Sequence, residues 1–458
     1  MSDIKVGLEI HGYLNITNRS KLFCNCKIEK DAEPNTNICP TCTSQPGSKP
    51  MAPNKEALDK IIAIGLMLDC KINQKLLFQR KHYSWPDLPS GYQRTISGSY
   101  ATPVGVHGEF LGIGIEEVHL EEDPAKWDPE TGYIDYNRSG YPLVEMVTKP
   151  DFKNSEDVKT WIKKLLTMLE YIKAVNPDLG IKCDVNVSVA PDFIRVEIKN
   201  VNSIRSIGLA IEHEAARQRK SITDGKNIEM QTRTWSDEHS ETIFMRKKEQ
   251  AMDYMFIPEQ DLPLIELDNK EIKKIEDSLP EKPHEKKQRY IKMHVEKTDA
   301  EIISSDIVLA ELFEKVAKKI EPCTAAKWMR REILRVLNFN KKELSETKID
   351  ANHIIDLLTL SEQKRITEGT AKKILERLVD DSLDIEKYVK SEGLEQIADQ
   401  GEIDKICSDV IKYNQKAVED YKNGQEKSLN FLVGQVMGKS KGRIDAQTAK
   451  ELILKQIN

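Results

Sequence analysis

At the start of the chain Ile4, Val6, Leu8 and Ile10 alternate with Lys5, Gly7, Glu9 and His11. A period-two pattern sends one set into a core and the other to the opposite face of a strand, so Glu9 and His11 point the same way. Taken alone, that pair is also what a solvated strand face looks like. The alternation returns where Glu117, His119 and Glu121 interleave with Val118 and Leu120, and it breaks at Asp123-Pro124. A turn-rich stretch around Asp128-Pro129 and Thr131-Gly132 follows, the strand-like text resumes over 132–138, and 142–147 is apolar except for Glu145. A lone acid in an apolar run is costly without a partner, and a metal ion is one of the few adequate ones. The cleanest hairpin pattern is 183–189, an Ala190-Pro191-Asp192 turn and 194–199. Its valines and isoleucines form one face; Asp184, Asn186, Ser188, Arg195, Glu197 and Lys199 form the other, where cross-strand charge pairs are the plain alternative to a site.

Helical spacing appears at 54–68, with Ala57, Leu58, Ile61, Ile62, Leu66 and Leu68 as a stripe. It recurs behind an Asn154-Ser155 cap with Val158, Trp161, Ile162, Leu165, Leu166, Leu169 and Ile172, and again at Ile207, Ala210, Ile211 and Ala215. Between these lie the aromatic, Pro/Gly-punctuated loop 81–94 and, later, the polar stretch with Arg233 and Arg246. The segment 258–263 reads as a domain exit. From about Asn269 the text turns Lys/Glu-rich and helical to the end, closing on an apolar helix at 429–437 that runs into a basic loop with Lys439, Lys441 and Arg443. Basic residues there complement the helix dipole and are suited to phosphate, although a solvated charge run explains them equally. Strands first and helices afterwards predict an α+β protein.

With 458 residues the chain has room for two to four domains. Charged residues make up 31%, no apolar run is long enough to cross a bilayer, and no signal segment opens the sequence, which predicts a cytoplasmic enzyme or binding protein with no membrane role. The net charge of −6 excludes a generally basic nucleic-acid binder, so any RNA contact is local. Of eight cysteines, Cys24, Cys26, Cys39 and Cys42 are clustered, the pairs separated by twelve residues. That spacing suits a closed tetrahedral zinc knuckle with thiolates as all four ligands, against the alternative of free thiols in a loop. Cys70, Cys183, Cys323 and Cys407 sit in apolar contexts as core thiols. Gly112 and Gly114 lack a third glycine, and no phosphate-binding Gly-x-x-x-x-Gly-Lys motif occurs, which excludes a P-loop.

These pieces together resemble one family, the B subunit of the tRNA-dependent amidotransferases and its relative the E subunit (GatB/GatE), in its archaeal-like B form. The motifs are VGLEIH at 6–11, Cys24/Cys26 with 32–42, PDLPSGYQ at 86–93, HLEED at 119–123 and DYNRSGYPLVE at 135–145. KCDVNVSV at 182–189, EIKNVNS at 197–203, QTRTW at 231–235, DLP at 261–263 and FLVGQVM at 431–437 extend the likeness over essentially the whole chain. It implies a glutamine-synthetase-like cradle domain with a largely antiparallel sheet over 1–268, the zinc knuckle at 24–42 included. An all-α helical domain over 269–392 and a YqeY-like helical tail for tRNA over 393–458 follow. The E subunit usually carries a large inserted domain for which this chain has no room, which favours B.

The resemblance also implies a chemistry. A carboxylate resists amidation because attack would have to expel oxide, so it is first activated with ATP. Family members phosphorylate the side chain of glutamate mischarged on tRNA(Gln), or of aspartate on tRNA(Asn), and ammonia then displaces the phosphate. Such a glutamine-hydrolysing ligase needs ATP and Mg²⁺, and hard cations want carboxylate oxygens on a rigid frame. Carried over by position, Glu9, His11, Glu121, Glu122, Glu145 and Asp184 look like the metal set. Lys199, Asn200, Asn202 and Arg233 would contact phosphate or the acyl end, Arg138 and Arg246 would neutralise the transferring phosphate, and Lys439, Lys441 and Arg443 would touch the tRNA. Adjacent residues face opposite ways in a regular strand, so a straight strand through Glu121 and Glu122 would exclude one. The chain departs from the family at Pro124-Ala125-Lys126, where Ala-Gly-Lys is usual, and at Asp253-Tyr254-Met255-Phe256-Ile257, where an arginine usual at Met255 is missing. With no amidase signature here, ammonia is expected from an A-type glutaminase subunit, with a small C-type subunit completing a heterotrimer. The rival expectation is a non-catalytic tRNA-binding scaffold with a structural zinc knuckle.

Overall fold

The computed structural model describes residues 3–176, 179–247, 255–397 and 399–457. The chain divides into two compact units, Met1–Lys282 and Pro283–Asn458.

A twelve-stranded sheet forms the frame of the first unit. The alternating opening segment is the strand Ile4–Tyr13, at the middle of the sheet. It pairs antiparallel with Pro142–Thr148 on one side and Ile181–Val189 on the other. Beyond Pro142–Thr148 come Ile113–Glu122, Tyr92–Thr95, Gln79–His82 and Met255–Pro258; beyond Ile181–Val189 come Val196–Val201, Gln231–Ser236 and Glu241–Lys247. Among the described residues only Val196–Val201 and Gln231–Ser236 run parallel. Val6, Leu8, Ile10, Val144, Val118, Leu120, Val185 and Val187 are fully buried on one face. Helices Lys55–Met67, Ser155–Tyr171 and Ile204–Thr223 cover that face with Ile61, Leu165 and Ile211. A one-residue slip of any central strand would send this apolar set into water, so the register is firmly held. Each helix starts on a side-chain cap: Asn54 accepts from the Ala57 N–H, Asn154 from Asp157 and Ser203 from Ser206. Leu111 and Gly112, at φ 52° and 79°, make the two-residue turn between Gly105–Phe110 and Ile113–Glu122. The glycines there thus serve a hairpin.

The segment 258–263 is no exit. Met255–Pro258 joins the sheet beside Gln79–His82, and Glu259 is buried with its carboxylate on Arg80 and Arg94. The boundary expected at 268 also lies inside the first unit, because Ile272, Ile275 and Leu279 of and after the helix Asn269–Ser278 pack on the first core. The second unit is helical and has two apolar cores, one drawn from 290–389 and one from 397–457. Among the described residues no helix is long and apolar enough to cross a membrane.

Candidate active site

Strand register brings the acids together on the face that the helices leave uncovered. His11 lies opposite Glu145 on one neighbouring strand, and Glu145 lies opposite His119 on the next. On the other side Glu9 lies opposite Asp184, and Asn186 opposite Glu197. Residues in register share a face, so two groups of donors form: His11, Glu121 and Glu145, and Glu9, Asp184 and Glu197, with ligand atoms within 4.8 Å of one another in each group. Both open into one cavity of about 410 Å³, also lined by Asp123, Lys81, Lys182, Lys199, Thr232 and Arg246.

Burial works against the Glu145 charge, but the imidazoles of His119 and His11 override it and hold the carboxyl well below its usual range. Burial and the nearby Glu145 raise Glu121, and burial, Glu145 and Glu197 raise Glu9. Carboxyls pushed up by burial and by one another would be favoured in their charged form by a bound cation, and oxygen-plus-imidazole donor sets fit a divalent one. The second group already has a resident counter-charge, since the Lys199 ammonium contacts Asp184 and lies 3.7 Å from Glu197. Burial would lower His11, yet Glu145, Glu121 and Asp184 lift it to about 9. The imidazole therefore keeps its proton up to about pH 9, and an ion taken there must displace it. Divalent-ion affinity is expected to rise with pH up to that point, by as much as about tenfold per unit. Mn²⁺ titrations between about pH 6.5 and about pH 8.5 check this; a flat profile would remove His11 from the ligand set.

The expected site residues divide. Glu9, His11, Glu121, Glu145, Asp184, Lys199 and Arg246 all line the cavity. Glu122 does not. The register of Ile113–Glu122 against Pro142–Thr148 is unbroken through Glu121 and Glu122, so Glu122 faces away from Glu121, with its carboxylate 3.0 Å from Arg94 Nη1. Arg233 is likewise on the wrong face: it is in register with the core residue Ile198, donates to Thr242 and Gln231, and lies 3.5 Å from the buried Glu214. Its neighbour Thr232 faces the cavity and donates to Glu197 at 2.9 Å. Arg138 is spent on structure, with Nε 3.1 Å from Asp123 and donors on the Pro124 and Ala125 carbonyls. Asn200, at φ 63°, is exposed and donates to Thr234. Asn202 lines a separate apolar cavity of about 320 Å³ beside Ile204 and Ile207. Met255 is 60% exposed on an edge strand, while Asp253 and Tyr254 of the same motif lie outside the described residues. Lys439 pairs with Asp409, Arg443 reaches Glu402 at 3.8 Å, and Lys441 is exposed in the turn between the last two helices. Glu197, Asp123, Lys182 and Lys81 are cavity residues that the sequence pattern does not single out as ligands. Glu197 carries a signal all the same, since it shares the polar hairpin face with Asp184.

The four clustered cysteines converge, with all sulfurs within 4.8 Å and Cys42 Sγ 3.9 Å from Cys39 and 4.0 Å from Cys26. Thiolates about 2.3 Å from a tetrahedral zinc lie about 3.8 Å apart, so the set fits. The ammonium of Lys21, a residue only 1% exposed, sits 3.3 Å from Cys42 Sγ and 3.1 Å from the Tyr136 carbonyl. A hydrogen bond from Cys24, against the pull of burial and with help from Lys21, lowers the Cys42 thiol to about 4. A tetrathiolate zinc there would carry net negative charge, and Lys21 would offset part of it inside the fold.

A family profile described as the GatB/GatE catalytic domain matches residues 4–273, and one described as the GatB domain matches residues 311–457. The chain is 42% identical over 474 residues to the B subunit of the aspartyl/glutamyl-tRNA(Asn/Gln) amidotransferase of Methanocaldococcus jannaschii, covering 100% of this chain and 99% of that one. It is 41% identical over 469 residues to the protein of that name in Methanococcus maripaludis, covering 99% and 98%, and 41% over 457 residues to that of Methanothermobacter thermautotrophicus, covering 99% and 100%. With profiles over most of its length and full-length relatives, the chain belongs to the GatB/GatE family.

Proposed function

We propose that this chain is the catalytic B subunit of a tRNA-dependent amidotransferase, which activates the side-chain carboxylate of Glu-tRNA(Gln), Asp-tRNA(Asn) or both with ATP and lets ammonia replace the phosphate. The observation that carries the reading is the pair of cation-donor groups on adjacent central strands, facing one cavity that also holds Lys81, Lys182, Lys199 and Arg246. His11, Glu121 and Glu145 would hold one divalent ion and Glu9, Asp184 and Glu197 a second. Ions bound there would screen the phosphate charge and keep the transferring phosphoryl in line. The lysines and Arg246 meet the phosphate oxygens that remain. A side-chain carboxylate oxygen bonds to the γ-phosphorus as the bond to ADP breaks. Ammonia then forms the C–N bond, the C–O bond to phosphate breaks, and nitrogen gives up a proton to water or a cavity carboxylate. A non-catalytic scaffold has no use for so many acids where it approaches an RNA phosphate.

Ammonia would come from an A-type glutaminase subunit clasped by a small C-type subunit, and zinc would close the cysteine knuckle. The second unit's two cores would be the helical domain and the tail, with Lys439, Lys441 and Arg443 against the tRNA backbone. The reaction would take place in the cytoplasm, where translation runs. The test uses the assembled complex with each mischarged tRNA, ATP and ammonium in place of glutamine. ATP-dependent conversion of at least one tRNA with stoichiometric phosphate release is expected; conversion without ATP would overturn the reading.

A further inference from the structure

His119 lies among the site acids without lining the cavity. It is 3% exposed, on the strand next to Glu145, and is outside both donor groups. Its Nε2 is 2.9 Å from Glu145 Oε2 and its Nδ1 is 3.1 Å from Glu117 Oε1, the same oxygen that accepts from the Ser97 hydroxyl. Each ring nitrogen thus faces a carboxylate: Nε2 is hydrogen-bonded to Glu145, while Nδ1 makes a charge contact with Glu117 without hydrogen-bond geometry. His11 Nε2 also approaches Glu145 Oε2, at 3.2 Å. These two contacts differ in kind. His11 belongs with Glu121 and Glu145 in one donor group, so an ion bound between them replaces the His11–Glu145 contact. The His119–Glu145 contact comes from the strand on the other side of Glu145 from His11, and His119 is not a member of the donor group. A metal-ligating side chain held from behind by a hydrogen-bonded partner is pre-set in its orientation, and removing such partners typically costs about 10–100-fold in metal affinity.

We propose that His119, set against Glu117 and Ser97, is a positioning residue that fixes the Glu145 carboxylate through Oε2, the oxygen His11 also meets, and so presets the carboxylate for the divalent ion. The inference rests on the divalent-ion reading of His11, Glu121 and Glu145. Ser97, just past the strand Tyr92–Thr95, Glu117 and His119 on Ile113–Glu122, and Glu145 on Pro142–Thr148 form one line, each link made to a carboxylate oxygen. A structural histidine packed for its apolar ring would not be flanked by an acid on both nitrogens, because each buried carboxylate costs several kcal/mol unless compensated.

The test is Mn²⁺ binding to the purified full-length chain by electron paramagnetic resonance, with this ion identified as the one lost in His11→Ala. His119→Ala is expected to weaken it by about 10–100-fold and to raise the KM for Mg·ATP, with zinc content unchanged. His119→Gln, whose amide N–H can donate to Glu145 from nearly the same place, recovers most of the affinity. Glu117→Gln, which keeps the shape behind the ring and removes the charge, gives a smaller loss. Equal affinity in wild type and His119→Ala overturns the inference alone, as does a His119→Gln variant no better than the alanine. Absence of Mn²⁺ from the wild type overturns the divalent-ion reading and this inference with it. If His119→Ala does not fold, Glu117→Gln decides: weaker binding supports the proposal and unchanged binding overturns it.

Discussion

Glu121→Ala is expected to lower ATP-dependent amidation of mischarged tRNA, and the ATP hydrolysis that accompanies it, by at least about 100-fold, the loss of several kcal/mol of charge stabilisation that a displaced catalytic cation entails. Glu121 is 6% exposed, on the cavity face of its strand, and shares a donor group with His11 and Glu145. Its carboxyl is raised by burial and by Glu145, so deletion relieves repulsion among the acids. Stability should therefore hold or improve while activity collapses, the reverse of what a structural residue shows. The adjacent Glu122→Gln supplies the contrast. Its carboxylate sits against Arg94, whose Nε also reaches Glu259 at 2.8 Å, so its loss strips a partner from a nearly buried guanidinium. Breaking a buried pair this way costs about 3–5 kcal/mol, to be read as a lower melting temperature with Mn²⁺ affinity retained. Undiminished ATP hydrolysis in Glu121→Ala would sink the catalytic reading.

The fate of those two neighbours explains how far the sequence can be read. Period-two alternation puts Glu9, His11, Glu121 and Asp184 on polar faces, and the alternation survives in the fold because the opposite face is buried under three helices. Conversely, the motif HLEED presents two acids side by side, and only the unbroken register of the strand decides between them. Arg233 and Thr232 pose the same question, answered by the register of Gln231–Ser236 against Val196–Val201. Which strands become neighbours is set by packing across distant segments, so the joining of the hairpin acids Asp184 and Glu197 to Glu9 is not written in any local pattern. Nor is the return of Met255–Pro258 to the sheet, since Pro258 and Pro263 punctuate a chain that exits and one that doubles back alike. Lys21 is a further case: next to the cysteines it resembles any surface lysine, and only the fold encloses it.

Loss of zinc from the cysteine knuckle is expected to disable amidation without unfolding the sheet. The knuckle is bonded to one segment bordering the cavity: Ser139 Oγ donates to the Cys42 carbonyl at 2.8 Å, the Leu22 N–H to Gly140 at 2.8 Å, and the Asn37 N–H to Asn137 at 2.9 Å. That segment in turn holds Asp123, since the Gly140 N–H donates to the Asp123 carbonyl at 2.8 Å, the Asp123 N–H to Tyr141 at 2.9 Å, and Arg138 lies 3.1 Å from the carboxylate. The knuckle itself has few apolar contacts to keep its shape, so its order depends on the metal. The main core draws instead on the central strands and their three helices. Cys39→Ser, which removes one ligand and leaves the Lys21–Cys42 contact in place, should therefore lose zinc and retain its far-ultraviolet circular dichroism. Amide hydrogen exchange at 134–141 should rise, because the partners of that segment are no longer fixed. A misplacement of about 1 Å in a reacting group costs about 100-fold, and a fall in amidation of that order is expected. If zinc-free protein keeps both its slow exchange at 134–141 and its activity, the knuckle does not position the cavity wall, and its hydrogen bonds to Ser139 and Asn137 are passive packing.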